Sequence, residues 1–163
     1  MQFWKPDFEF PHICQIPVEV LQRVQIRGLL IDLDNTIAPW NTYDLTPAVK
    51  EWFREVEKAG IRLCIFSNNR NPQRVSTVGD ELGILYISKA GKPWRRAYQR
   101  GQEILGLPPQ AIAVIGDQIF TDIVGGKRAG MKTIMVDPIS DHDFPGSKFV
   151  RWLERMVGRT HGR

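Results

Sequence analysis

The sequence of 163 residues contains little cysteine and no long apolar run, and each shortage excludes a class of protein. Cys14 and Cys64 are too few for the disulfide framework of a small secreted domain, which favours a reducing compartment. No stretch approaches the roughly 18 apolar residues that a membrane-spanning helix needs. Residues 1–15 include charged side chains and lack an apolar signal segment. We therefore expect a cytoplasmic protein, either wholly soluble or attached peripherally to a membrane surface.

Histidine and net charge are also limited. The three histidines (His12, His142 and His161) do not have the spacing of zinc ligands, and the loop at 141–143 is expected to be solvated. A net charge of +4 permits an acidic partner such as a phosphorylated substrate, but it does not require nucleic acid, and we expect none. The proportions of hydrophobic and charged residues, 42% and 25%, are typical of a globular domain with its own core.

Short apolar runs alternate with amphipathic segments along most of the chain. The predicted strands lie at 29–31, 61–66, 84–87, 112–115 and 132–136. The predicted helices lie at about 17–24, 47–59, 72–82, 94–105, 120–129 and 148–157. Alternation at this spacing is typical of βαβ units with parallel strands. The expected fold class is therefore α/β, a Rossmann-like three-layer sandwich with a central parallel sheet of about five strands.

We interpret the chain as a single domain in three parts. Residues 1–27 form an N-terminal arm and a short helix, 28–136 form the core that carries the motifs below, and 137–163 form a C-terminal helix and a basic tail. The arm is rich in aromatic residues and is expected to pack on the core, with contact to a membrane as the alternative. The last helix alternates basic with apolar residues, and we expect it to pack on the sheet rather than lie in a membrane interface.

The most informative stretch is LLIDLDNTIAP, at Leu29–Pro39. Its first apolar residues do not alternate with polar ones, which is typical of a central parallel strand buried on both faces. Such a strand delivers Asp32 and Asp34 to its carboxyl end, where ligands bind in open α/β sheets. Two carboxylates at that place repel each other and lose hydration. The pair therefore needs a compensating cation.

Polar residues follow other predicted strands as well. They are, in chain order, Ser67 and Asn68, then Lys92 in the loop before the helix at 94–105, then Asp117, Thr121 and Asp122. Because a parallel sheet gathers its carboxyl ends at one edge, we expect these residues and Asp32 in one crevice. Carboxylates without histidine or cysteine suit a hard cation, above all Mg²⁺. Lys92 and Ser67 suit a phosphate group, through a positive charge, a hydroxyl and backbone N–H groups.

Each motif has a plainer interpretation when it is taken alone. Asp32–Thr36 could open an EF-hand, but Ile37 stands where that loop needs glycine and Tyr43 where it needs glutamate. The two aspartates could cap a helix, Ser67-Asn68 could form a turn, and Lys92 could be a solvated loop lysine. Taken together, these interpretations require a coincidence at every one of the strand ends.

The complete set resembles the four motifs of the haloacid dehalogenase (HAD) phosphatase superfamily over roughly 28–136. The matching positions are D-x-D-x-T at Asp32–Thr36, Ser67, Lys92-Pro93, and G-D-x-x-x-T-D at Gly116–Asp122. The resemblance implies a Mg²⁺-dependent phosphomonoesterase in which Asp32 is the nucleophile and forms an aspartyl-phosphate. It further implies that Asp34 acts as the general acid and then as the general base.

The same resemblance implies roles for the remaining motif residues. The ligands of Mg²⁺ would be Asp32, the backbone carbonyl of Asp34, and Asp117. The phosphoryl oxygens would be bound by Ser67, Asn68 and Lys92. Asp122 would orient Lys92 or a water on the metal, and Thr36 would position Asp34 or stabilise its turn.

The segments at 37–45 and 68–91 are too short to hold a cap domain over the site. The chain is accordingly similar to the capless HAD subfamily IIIA. The stretches LLIDLDNTIAPWN, SNN, GKP and GDQIFTDIVGGKRAGM resemble the YqeG family, itself similar to phosphatidylglycerophosphate phosphatases of mitochondria, plants and cyanobacteria. An open site favours a large or membrane-bound phosphate ester. The resemblance therefore implies phosphatidylglycerophosphate as substrate and a lipid head group at a membrane surface as partner.

Two other functions stay open on the sequence. One is hydrolysis of a soluble ester, such as a sugar-acid phosphate or a nucleotide, with a neighbouring subunit of a homo-oligomer covering the site. The other is a non-catalytic phospho-binding or receiver-like module, although the lysine of a receiver follows the fifth strand and Lys92 precedes the fourth. Four arginines expected around the site are compatible with the lipid substrate: Arg70, Arg74, Arg95 and Arg96.

Overall fold

Strand β2 (Gly28–Ile31) is the centre of the sheet in the computed structural model, which describes residues 2–140. All of its residues are buried, and it pairs in parallel with β3 (Arg62–Phe66) on one side and β5 (Ile112–Gly116) on the other. The remaining strands are β1 (Phe8–Phe10), β4 (Leu85–Ile87) and β6 (Lys132–Val136). The order is β1-β6-β5-β2-β3-β4, with every neighbouring pair parallel. The predicted Rossmann-like α/β fold is confirmed, with six strands rather than about five.

The additional strand, β1, lies in the N-terminal arm, which the sequence predicts to be irregular. It pairs with the edge of β6, with Phe8 opposite Ile134 and Phe10 opposite Val136. Three residues between prolines carry too little pattern to predict a strand, and the partner strand is distant in sequence. Phe8 and Phe10 also pack against the core, so the arm lies on the protein as expected.

The helices agree with the predicted ones except near the C-terminal end of the core. They are α1 (Val18–Arg23), α2 (Pro47–Lys58), α3 (Pro72–Leu82), α4 (Arg95–Leu105) and α5 (Gly125–Arg128), with a π-helix at Ile119–Val124. Thr46 and Asn71 cap α2 and α3 through their side chains. The single helix predicted at 120–129 is thus divided into the π-helix and α5. Within the π-helix the Thr121 carbonyl accepts a hydrogen bond from Tyr98 on α4, a tertiary contact that apolar periodicity does not reveal.

Alternate residues of β2 face two different helix layers. Leu29 and Ile31 pack with α1, α2 and α3, whereas Leu30 packs with α4 on the opposite face. Helices therefore cover both faces of the sheet. Because the strands are parallel, the loops after β2, β3 and β5 meet at its carboxyl edge. Asp32, Ser67 and Asp117 are the first residues of these loops.

Within residues 2–140, no helix has both the length and the apolar character needed to cross a bilayer. The helix predicted at 148–157, the loop at 141–143, and His142 and His161 lie outside the described residues.

Candidate active site

A buried lysine joins two of the predicted site carboxylates at the carboxyl edge of the sheet. Lys92 Nζ donates to Asp32 Oδ1 at 3.2 Å and to Asp122 Oδ1 at 2.8 Å. The Nζ atom also lies 5.3 Å from the centre of the Phe66 ring. Burial alone would lower the pKa of Lys92, but Asp122 and Asp32 raise it above its usual value, so the ammonium group stays charged.

Asn68 fixes the backbone of the loop that carries Lys92. Its Oδ1 accepts hydrogen bonds from the amides of Gly91 and Lys92, at 3.0 and 2.8 Å, and its Nδ2 donates to the Lys92 carbonyl at 2.9 Å. The Asn68 side chain therefore holds the lysine loop against the end of β3. The contact of Asn68 with a phosphate remains a prediction. Because the side chain is bonded to the lysine loop, the backbone amide of Asn68 would have to make that contact.

Asp122 is held by the loop after β5 as well as by Lys92. Its Oδ2 accepts a hydrogen bond from the Gln118 amide at 3.2 Å. Gly116 is needed beneath it, because a Cβ atom at that position would collide with the Asp122 carboxylate. The glycine of the G-D-x-x-x-T-D motif thus has a steric role here, which is to admit a carboxylate directly against the strand end.

Three carboxylates converge at this place: Asp32, Asp117 and Asp122 each offer an oxygen, and these atoms lie within 4.8 Å of one another. Burial raises the pKa of Asp32 and is the largest effect on it; Lys92 lowers the pKa, Asp122, Asp117 and Asp34 raise it further, and overall the pKa stands well above 3.8. A donor set of carboxylates alone fits a hard divalent cation such as Mg²⁺. A cation bound there would offset the mutual repulsion of the carboxylates.

Asp34 belongs to a separate group of contacts, about the side chain of Arg74. Arg74 donates to Asp34 Oδ1 from both Nε, at 3.2 Å, and Nη2, at 2.6 Å. Asn69 Nδ2 donates to the other oxygen, Oδ2, at 2.9 Å, and the Asn41 amide approaches Oδ1 at 3.3 Å. The two aspartates of the D-x-D motif therefore have different cations, Lys92 for the first and Arg74 for the second.

The remaining predicted residues, Ser67 and Thr36, are both fully buried. Ser67 follows β3, and its Oγ accepts a hydrogen bond from the Asn69 amide at 3.0 Å. Among residues 2–140, Thr36 Oγ1 has no hydrogen-bond partner, so no hydrogen bond joins this hydroxyl to Asp34. The Thr36 amide donates to the Leu33 carbonyl at 3.3 Å, within the turn of the motif.

Sequence reasoning missed how Arg74 and Asn69 are used. Arg70, Arg95 and Arg96 are exposed, whereas Arg74 is 1% exposed. It is the third residue of α3, and the helical pattern does show that this position shares a face with the buried Val78. The partner of its charge could not be read from the sequence, because Asp34 is 40 residues away.

Comparisons with known proteins bear on the family to which the chain belongs. The family model of the haloacid dehalogenase-like hydrolases matches residues 12–130. The chain is 38% identical over 156 residues to "Probable phosphatase YqeG" of Bacillus subtilis (strain 168), across 96% of this chain and 90% of that protein. It is 24% identical over 163 residues to "Phosphatidylglycerophosphate phosphatase 1, chloroplastic/mitochondrial" of Arabidopsis thaliana, across 95% of this chain but 46% of that protein.

A solved structure has the same fold at low sequence identity. It is the crystal structure of an uncharacterized protein from Listeria monocytogenes serotype 4b, with a TM-score of 0.58 and 19% identity, over 74% of this chain and 85% of that chain. The range matched by the family model, 12–130, contains every predicted site residue from Asp32 to Asp122.

Proposed function

The chain belongs to the haloacid dehalogenase-like hydrolases and is a phosphatase, and we propose that it is a Mg²⁺-dependent phosphomonoesterase in which Asp32 forms an aspartyl-phosphate. The observation that supports this most strongly is the position of Lys92, which contacts both Asp32 and Asp122 in a buried crevice. A carboxylate beside a fixed ammonium group is suited to receive an anionic phosphoryl group. A non-catalytic receiver-like module is set aside, because the matching family is one of hydrolases.

The proposed reaction has two half-reactions. In the first, a carboxylate oxygen of Asp32 attacks phosphorus, the bond from phosphorus to the ester oxygen breaks, and that oxygen takes a proton from Asp34. In the second, Asp34 takes a proton from water, the water oxygen attacks phosphorus, and the bond from phosphorus to Asp32 breaks. The products are the alcohol, inorganic phosphate and free Asp32.

We assign phosphate binding to Ser67, Lys92 and the backbone amide of Asn68. Lys92 supplies a charge that Asp32 and Asp122 hold in place, on a loop whose backbone is bound by the Asn68 side chain. Ser67 directly follows β3, accepts a backbone hydrogen bond from Ala90 of that loop, and offers a buried hydroxyl. These groups would hold the phosphoryl oxygens while Asp32 attacks.

We assign the Mg²⁺ ligands to Asp32, Asp117 and the backbone carbonyl of Asp34. Both oxygens of Asp122 already accept hydrogen bonds, from Lys92 and from Gln118, so Asp122 is assigned to orienting Lys92. When bound, Mg²⁺ offsets the negative charge that develops on the transferring phosphoryl group.

The proposed chemistry is tested with the purified protein and p-nitrophenyl phosphate. We expect turnover with Mg²⁺, its loss in EDTA and its recovery when Mg²⁺ is returned. Asp32→Asn should lower kcat by at least about 10³-fold, because the nucleophile is removed. Turnover by Asp32→Asn at the wild-type rate would exclude Asp32 as the nucleophile. Circular dichroism of the variant checks that the fold is retained.

We propose phosphatidylglycerophosphate as the substrate and phosphatidylglycerol as the product. Between Asn68 and Gly91 the chain forms only α3 and β4, so no domain inserted in this segment covers the site. Tyr43 contacts Arg74 beside the site and is 47% exposed, and Trp94 follows the lysine loop and is 71% exposed. Exposed tyrosine and tryptophan suit a lipid–water interface. The Arabidopsis relative is named for this reaction.

The substrate is tested by comparing kcat/KM for phosphatidylglycerophosphate in mixed micelles with kcat/KM for a sugar-acid phosphate and a nucleotide. A strong preference for the lipid is expected, and the opposite preference would favour a soluble ester. Trp94→Ala should lower kcat/KM for the lipid more than for p-nitrophenyl phosphate. Ile104→Ala is the matched control, because Ile104 is an exposed apolar residue at the other end of α4, 41% exposed.

A further inference from the structure

Arg74 is an unusual residue to find in the interior of this protein. It lies in the first turn of α3, is 1% exposed, and is the largest of the fully buried side chains in the described part of the chain. A guanidinium group loses strong hydration on burial, so it requires a partner that compensates for this loss. Its contacts therefore show what its burial achieves.

The contacts of Arg74 converge on one carboxylate oxygen of Asp34. Nε and Nη2 both donate to Oδ1, at 3.2 and 2.6 Å, and Nη2 also lies 3.4 Å from the Pro39 carbonyl. The guanidinium carbon lies 5.6 Å from the centre of the Tyr43 ring. Two donors of a planar group on a single oxygen fix the position of that oxygen relative to α3.

The second oxygen of Asp34 is fixed from another direction. Asn69, in the loop after β3, donates to Oδ2 at 2.9 Å, and its own Oδ1 accepts the Asn71 amide at 2.8 Å. Asn71 in turn caps α3 through its side chain. The carboxylate of Asp34 is thus held at both oxygens by a single structural unit, the β3–α3 loop and the first turn of α3.

We propose that Arg74 is a positioning residue for Asp34, which it orients for proton transfer to and from the reacting oxygen. The inference rests on the proposed role of Asp34 as general acid. A buried ion pair adds little net stability, since the loss of hydration offsets the attraction. The distinctive effect of such a pair is to fix the geometry of the groups that it joins. Here it fixes the carboxylate of Asp34, which follows the proposed nucleophile Asp32 by two residues.

The test separates proton transfer from the rest of catalysis by the choice of leaving group. Phenyl phosphate and p-nitrophenyl phosphate differ little in size, but phenoxide is the more basic leaving group and depends more on protonation. The quantity compared is kcat/KM, because it reports the half-reaction in which the leaving group departs. Arg74→Met should lower kcat/KM for phenyl phosphate roughly 10-fold more than for p-nitrophenyl phosphate.

Three further variants complete the comparison. Arg74→Lys keeps the charge without the two-donor geometry, so a smaller but equally selective loss is expected. In the Asp34→Asn background, Arg74→Met should cause little further loss, because the residue it positions has already been removed. Arg54→Met is the matched control: Arg54 lies on the exposed face of α2, and its loss should leave both substrates unaffected.

The outcomes are distinguishable. The positioning role would be overturned if Arg74→Met lowered kcat/KM equally for both substrates or lowered it for neither. It would also be overturned if Arg74→Met caused its full loss of kcat/KM in the Asp34→Asn background. If Arg74→Met does not fold, Arg74→Lys makes the same comparison between leaving groups. Absence of turnover by the wild-type protein would instead refute the proposed function, and an Asp34→Asn variant without leaving-group selectivity would refute the role of Asp34.

Discussion

The ion pairs at the carboxyl edge of the sheet differ from those on the outer surface of the helices in burial. At the edge, Lys92 pairs with Asp32 and Asp122, and Arg74 pairs with Asp34, with side chains no more than 18% exposed. These pairs join residues 30 to 60 positions apart. On the helices, Lys50–Glu81 and Arg54–Glu51 have side chains that are 38% to 63% exposed.

This difference shows which charges serve stability and which serve chemistry. An exposed pair is screened by water and changes the free energy of unfolding little, whether favourably or unfavourably. A buried cluster with more carboxylates than cations is a poor choice for stability, because each carboxylate loses hydration and repels the others. Its presence at one edge of the sheet is understandable if the fold supports a site in which a bound cation completes the charge balance.

Lys92→Met is the variant expected to disturb the buried cluster most. It removes the ammonium group from Asp32 and Asp122 and leaves two carboxylates buried without it. We expect the free energy of unfolding to fall by about 3 kcal/mol or more, the usual effect of removing one partner of a buried pair. Urea denaturation at pH 7 measures this. A change below 1 kcal/mol would mean that the cluster is better hydrated than its burial indicates.

Asp32→Asn should change stability in the opposite direction. Because the folded protein raises the pKa of Asp32 above 3.8, ionisation of this residue opposes folding, and wild-type stability falls as pH rises from about 4 towards the raised pKa. The uncharged variant should therefore have the higher Tm at pH 7 in EDTA, although we expect it to be inactive. Scanning calorimetry from pH 4 to pH 8 checks this, and a Tm difference independent of pH would contradict it. Added Mg²⁺ should narrow the difference.

Residues at the strand ends were predictable from the sequence, because an apolar run locates a buried strand and parallel strands place their carboxyl ends together. This argument alone brings Asp32, Lys92 and Asp122 to one edge, and the structure confirms that they meet. The residues that typically begin and end helices also predicted α3 correctly, since its predicted and observed bounds coincide at Pro72–Leu82. Such features depend on local pattern and on one general rule of sheet topology.

What could not be predicted depends on contacts between distant segments. Arg74 has the pattern of a helix first turn, and nothing near it in sequence indicates that Asp34 will receive its charge. The π-helix at Ile119–Val124 forms where Tyr98 reaches the Thr121 carbonyl. Strand β1 likewise depends on β6, and the Asp7 amide before it bonds to the Thr133 carbonyl at 3.0 Å. Each case is a tertiary contact that overrides or extends a local preference.

Asp7→Asn tests an ion pair of intermediate burial, in which Asp7 accepts the Thr133 amide at 2.8 Å and Lys127 Nζ at 3.2 Å. Burial alone would raise the pKa of Asp7, but the Thr133 amide and Lys127 lower it below 3.8 overall. The stabilisation is therefore present at neutral pH and is lost as pH falls from about 4 through the folded-state pKa. We expect a loss of about 1 kcal/mol at pH 7, which disappears in acid. Urea denaturation at pH 7 and in acid measures the free energy of unfolding. An equal loss in acid would mean that the substitution acts through its hydrogen bond with the Thr133 amide rather than through the charge of Asp7.

Arg54→Met is expected to have the smallest effect, and it sets the lower end of the comparison. Arg54 pairs with Glu51 one helical turn earlier on α2, with side chains 63% and 55% exposed. Methionine has nearly the helix propensity of arginine, so the substitution removes the charge with little other change. We expect a loss of no more than about 0.5 kcal/mol, smaller still in 0.5 M salt, where screening acts within roughly 5 Å. If urea denaturation gave a loss as large as that of Lys92→Met, burial could not be what separates the two kinds of pair.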